Sequence, residues 1–348
     1  MQIQFRAVAL AVVVPMLFVT VAAAQSELRT PDGQPDLQGV WDFRTMTPLQ
    51  RPEDQEQEFL TEEEAAEAEA AANARRAALL EPSEVRTEPL PAGGTGAERG
   101  QRVGGYNDFW LDYGTNIIGD RRTSLIIDPP DGRLPPLTPE GERLRQVGSL
   151  AEDLPIERPV RVRAAGTGPN DPEDRGLAER CLLGFNSGPP MMPSGYNNNM
   201  QLFQTPNHVV ILNEMVHDSR IIPLDGRPHL PEDVRQWMGD SRGHWDGDTL
   251  VVVTKNLTEY TGSFDPSATL SIGTGLTVTL TERFTRVDED TLLYEYTVDD
   301  PTIFTRPFTV AVPMRRNTEP MFEYACHEGN YGLLNILSGA RAEEAESQ

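Results

Sequence analysis

Hydrophobic and polar positions change rhythm along this chain, from irregular in the N-terminal half to alternating after Asn197-Asn198-Asn199. Gln201 to Thr205, Val209 to Val216 and Arg220 to Leu224 read as three strands, the last closed by Asp225-Gly226. Trp245-Asp246-Gly247-Asp248 sets an acidic turn before Thr249 to Val253, a hairpin signal. Leu276 to Arg286, Thr291 to Val298, Phe304 to Val312 and Met321 to Cys326 follow as further strands, and Tyr331 to about Arg341 reads as a closing helix. Many short strands, acidic or glycine turns and flanking helices predict a mainly β fold, an antiparallel barrel or sandwich with long loops.

The N-terminal half is less regular. Gly39-Val40-Trp41 opens an apparent strand. Residues 59 to 85 switch to an Ala/Glu/Arg pattern with Thr61 as helix N-cap and Glu62-Glu63-Glu64 in the first turn, predicting an exposed acidic helix. The proline and glycine of residues 86 to 105 mark a linker, Phe109-Trp110-Leu111 and Thr123 to Ile127 read as strands, and Thr138-Pro139-Glu140 begins a short helix. About residues 155 to 200 form a long loop ending in Gly188-Pro189-Pro190-Met191-Met192-Pro193, which suits neither a helix nor a central strand. The expected organisation is a signal over 1–24, then a strand, acidic helix and linker over 25–105, and a main β domain over 106–348.

The leader changes the picture most. Arg6, the apolar run Ala7 to Val21 and Ala22-Ala23-Ala24 have the form of a secretory signal, and the run is too short to favour a permanent membrane span. No later segment approaches a spanning length, so a soluble periplasmic or extracellular protein is expected. In an oxidising compartment Cys181 and Cys326 are expected to form one disulfide. The formal charge of −24 disfavours nucleic acid and anionic lipid as partners and leaves a small molecule as the expected one. Oligomeric state and cofactor stay open.

Four segments carry a resemblance: Pro35-Asp36-Leu37-Gln38-Gly39-Val40-Trp41, Asp225-Gly226-Arg227-Pro228-His229, Gly243 to Val252, and Glu323-Tyr324-Ala325-Cys326-His327-Glu328. Together they resemble a family of exported bacterial proteins with no established activity, so the resemblance lends no catalytic residue. Gly39-Val40-Trp41 also resembles the G-x-W of the first strand of lipocalin-like barrels.

Candidate chemistry comes from polar residues at unexpected places. None of the five histidines forms a compact zinc pattern, and no nucleophile elbow, phosphate loop or dinucleotide fingerprint is present. His217, His229 and His327 sit among other ionisable groups at strand ends. If the strands close into a barrel they can gather at one mouth with Asp225, Glu328 and Arg220. Each can equally be a turn residue bonded to backbone. Alternation places Glu282 with Leu280 and Phe284, and Arg306 with Phe304 and Phe308, so both are expected to face inward. They either pair or mark a polar floor beside Tyr294 and Tyr296, with Met191 and Met192 as apolar lining.

Three functions follow. The first is binding of a small, largely apolar ligand. The second is a hydrolase or lyase on a small or carbohydrate substrate, with His217, His327, Glu328 and Asp225 as acids and bases. The third is a structural envelope protein.

Overall fold

A computed structural model describes residues 28–80, 111–145, 168–262, 264–267 and 270–347. The signal over 1–24, the linker over 86–105, the expected strand residues Phe109 and Trp110 and part of the long loop lie outside these residues.

The strands are β1 (Gly39–Asp42), β2 (Ile126–Asp128), β3 (Asn199–Gln204), β4 (His208–Asn213), β5 (Ser219–Pro223), β6 (Asp240–Asp246), β7 (Thr249–Lys255), β8 (Phe264–Ser267), β9 (Leu270–Ile272), β10 (Thr279–Arg286), β11 (Thr291–Asp299) and β12 (Phe308–Asn317). The helices are α1 (Glu62–Leu80), α2 (Pro139–Leu144) and α3 (Tyr331–Glu346). Ten strands form one antiparallel sheet in the order β5-β4-β3-β1-β12-β11-β10-β7-β6, with β2 pairing β12 as well, while β8 and β9 form a separate ribbon. The fold is thus mainly β and antiparallel. Because β1 lies between β3 and β12, a division of the chain at residue 105 does not follow the sheet.

The sheet curls until its edges meet. No ladder joins β5 to β6, yet the two strands are in contact, and a methyl group on Gly243 would stand 2.7 Å from Leu224 Cδ2 and 3.0 Å from Ile222 Cγ2. Side-chain packing, rather than backbone hydrogen bonding, closes this seam. The period-two pattern explains the interior. In β10, Leu280, Glu282 and Phe284 are buried, and in β11 Leu292, Tyr294, Tyr296 and Val298 are. With Trp41 and Phe308 they fill the lumen with side chains.

Two expectations need correction. Arg306 does not face inward: residues 301–307 form turns, β12 begins only at Phe308, and Arg306 pairs on the surface with Asp128 at 2.6 Å. Met321 to Cys326 is not a strand. It is a strap across the barrel wall, held where the Phe322 amide donates to Glu214 Oε1 at 3.0 Å. Cys326 then joins Cys181 in a disulfide that closes 145 residues of chain.

The proline-rich loop is a plug. Residues 186–191 are buried, at the end of the barrel where β1 finishes and β5 begins. Its own side chains anchor it: Ser187 Oγ donates to Asp218 Oδ2 at 2.6 Å, which also accepts the preceding Gly184 amide at 2.7 Å, and Asn186 Nδ2 donates to the carbonyls of Tyr196 and Asn197, each at 3.1 Å.

Candidate functional site

Next to this plug, α1 lies over the barrel end. Its N-terminus is fixed by a capping box, in which Thr61 Oγ accepts from the Glu64 amide at 3.2 Å and Glu64 Oε2 accepts from the Thr61 amide at 2.8 Å. Among its described side chains Ala65 is the buried one, and Glu69 Oε1 accepts the Ile117 amide at 2.8 Å. With so thin an apolar face, α1 does not seal onto the barrel. A cleft of about 480 Å³ remains, lined below by Leu49, Leu125, Met192 and Tyr296 and on the helix side by Ala72, Arg75 and Arg76. Arg76 donates to the Leu111 carbonyl and stands 3.6 Å from Asp112, while Arg75 is exposed and forms no ion pair with a described residue.

Beneath the cleft is a closed polar chain. Arg220 donates to Glu282 through two parallel bonds of 2.6 and 2.9 Å. Tyr294 donates to Glu282 Oε1 at 2.8 Å and accepts the Met191 amide at 3.1 Å, so the plug is tied to the barrel centre. Burial first, and then the Glu282 carboxylate, hold the Tyr294 phenol well above its usual range. Burial works against the Arg220 charge, but Glu282 overcomes it and leaves the guanidinium raised.

The structure therefore brings together part of the predicted set. Met192 and Tyr296 share the cleft. Arg220, Glu282, Tyr294 and Met191 form the chain below it, where the two charges neutralise each other instead of facing a ligand. The partner of Glu282 is Arg220, on a strand 62 residues away, and not Arg306.

The acid–base set does not assemble at one rim. His217 precedes β5 and Asp225 follows it, so a five-residue strand, about 17 Å long, lies between them. Asp225 is committed to Arg227, whose Nε lies 2.8 Å from Oδ1; side-chain and then backbone hydrogen bonds from Arg227 lower its carboxyl to about 2. Such a group is a poor match to proton transfer near neutral pH. His229 Nδ1 meets Asp240 Oδ2 at 2.9 Å, and Arg242 holds the other oxygen at 2.6 Å. His327 and Glu328 are exposed just past the disulfide. Among the described residues no three His, Cys, Asp or Glu side chains converge to hold a metal ion.

Sequence reasoning missed Leu49, Leu125 and the face of α1. Their contribution depends on a helix docking over a distant strand end, which alternation does not encode.

No protein-family model matches this chain, and no curated protein does. No described helix is long and apolar enough to cross a membrane. Among solved structures, a crystal structure of a point mutant of the fluorescent protein UnaG is similar at 15% sequence identity, over 41% of this chain and 86% of that chain, with a TM-score of 0.22. An overlay of that quality defines no shared fold, and the antiparallel β architecture rests on its own strand ladders.

Proposed function

We propose that this chain is an exported β-barrel protein that binds a small, largely apolar molecule between the barrel end and α1. The cleft carries the reading. Its volume of about 480 Å³ lies within the range of small-molecule sites, roughly 300–1,000 Å³, and its floor is apolar. Met192 adds a side chain that adapts to irregular ligand shapes. Exposed Arg75 on the helix side favours a ligand with an acidic or strongly accepting end. The signal-like leader and the Cys181–Cys326 crosslink support an oxidising compartment, and the four signature segments support grouping with exported bacterial proteins. The hydrolase or lyase reading has less support, because Asp225 is bound in an ion pair and His217 stands a strand length from it.

Ala72→Trp fills the cleft from the helix side. Native mass spectrometry of the full mature chain from a periplasmic fraction should show a retained apolar molecule. Binding of anilinonaphthalene sulfonate should weaken about tenfold in the variant. Equal dye binding by both proteins, or no retained molecule and no dye binding by the parent, would remove this function.

A further inference from the structure

A second cleft, of about 700 Å³, opens beside the strap, where residues leading into β3 face the end of β12. It meets the cleft under α1 only at Arg76. Three aromatic rings line it. Phe322 is 74% exposed, and Tyr196 and Tyr324 stack with centroids 6.3 Å apart and planes 14° apart. Phe185 meets Tyr196 edge-on at 5.2 Å, so a further ring backs the stack, and all of it packs against Cys181 of the disulfide.

The charge around these rings is unbalanced. Glu214 forms part of the wall and is 3% exposed. Its oxygens accept from Asn199 Nδ2 at 2.8 Å and from the Phe322 amide at 3.0 Å. Both donors are neutral, so the carboxylate is buried without a cationic partner among the described residues, a costly arrangement. Glu319 and Glu323 line the same cleft at exposed positions and form no ion pair with a described residue. The arginines that reach the cleft are committed elsewhere. Arg44 donates to Asp42 at 2.8 Å and to Asp112, and Arg76 stands 3.6 Å from Asp112.

We propose that this cleft binds an organic cation with a quaternary ammonium head. The face of an aromatic ring attracts positive charge, and the attraction grows where water is excluded. Glu214 has both oxygens in use, so it acts on a ligand through its charge and not by accepting a further bond. A head without N–H groups asks for nothing more. Glu319 and Glu323 add to a field that the overall charge of −24 already turns toward cations. A bare metal ion is a poor match: no three His, Cys, Asp or Glu side chains of the described residues converge on one, and the Phe322 ring offers it no ligand atom.

The test is a titration of the full, disulfide-intact mature chain with choline, tetraethylammonium and 3,3-dimethylbutan-1-ol, the neutral carbon counterpart of choline, followed by amide and aromatic NMR. At least one of the two cations should move the resonances of Phe322, Glu323 and Tyr324 in a saturable way. The alcohol should bind at least about tenfold more weakly than that cation. Phe322→Leu keeps an apolar side chain, and keeps the backbone bond to Glu214, but removes the ring; it should weaken cation binding about tenfold. Dye binding under α1 should be unchanged in this variant. Glu323→Gln should also weaken cation binding and flatten its dependence on salt, and it decides the matter if Phe322→Leu fails to fold. Absence of saturable shifts with both cations would overturn the proposal, as would equal affinity for the alcohol. Undiminished binding by Phe322→Leu would do the same, or by Glu323→Gln where only that variant folds. The same shifts produced by potassium chloride at matching concentration would also end it, by assigning the attraction to charge alone.

Discussion

Glu282 and Arg220 pose the sharpest energetic question in the molecule, because both are buried and each satisfies most of the other. Removing one partner strands a charge, so Glu282→Leu alone is expected to cost about 3–5 kcal/mol in urea unfolding. The double variant Glu282→Leu with Arg220→Met removes both desolvation penalties. Since Arg220 Nε has no hydrogen-bond partner even in the intact pair, the double variant should recover to within about 1–2 kcal/mol of the parent or exceed it. A double variant as unstable as the single one would show that the pair is worth more than its desolvation. Alternation alone puts Glu282 inside, because Leu280 and Phe284 flank it on the same face. It does not choose the partner. Phe304, Arg306 and Phe308 alternate just as convincingly in sequence, but turns separate Phe304 from the strand, and the true partner comes from β5 through the curl of the sheet.

At the scale of elements, β3, β4, β5, β7, β10 and β11 were legible because each buries one face, β8 and β9 were not anticipated, and α1 was legible from Thr61 as its N-cap and the acidic first turn. The strap was misleading. Met321 to Cys326 has the aromatic content of a strand, but no neighbouring strand pairs with it, and a carboxylate from Glu214 takes the place of a ladder partner. The plug was legible only as irregular loop. Its burial depends on partners distant in sequence: Asp218 accepts from Ser187, and the Tyr294 hydroxyl accepts the Met191 amide. Tyr294 makes this plug sensitive to alkali. The folded chain keeps the phenol protonated where the unfolded chain, with a tyrosine near 10, has released it, so the unfolded state then binds fewer protons. The stability from the neutral phenol is complete below about pH 10 and is lost as pH rises beyond it. Equilibrium unfolding across alkaline pH should therefore show a steep limb in the parent. The limb should be flatter in Tyr294→Phe, which starts lower by about 1–3 kcal/mol because the Met191 amide loses its acceptor. Parallel limbs would contradict this assignment.

For the whole molecule, an antiparallel β fold of barrel or sandwich type could be read from the chain, but neither the choice between the two nor the strand order could. Edge contact between β5 and β6 depends on Gly243 leaving room for Ile222 and Leu224, a fact of packing between strands that no local pattern displays. The disulfide was legible from cysteine count and compartment. It joins the strap to the segment leading into the plug, and a closed loop of 145 residues is worth about 4–5 kcal/mol in the chain-entropy description. Cys181→Ala with Cys326→Ala should lose about that much. Because α3 buries no side chain, reduction of the native protein should also expose residues 318–330 to proteolysis while the barrel ladders persist. Resistance of that stretch after full reduction would show that Glu214 alone secures the strap.

The position of β1 has one more consequence. The covalent ring from Cys181 to Cys326 encloses β3 to β12, whereas β1 enters from outside the ring and sits between two of its members. A chain lacking its first fifty residues would keep that ring and present a vacant slot between β3 and β12. A separate peptide carrying Leu37 to Phe43 would fit there, making the protein a natural two-fragment reporter whose assembly restores the buried indole of Trp41.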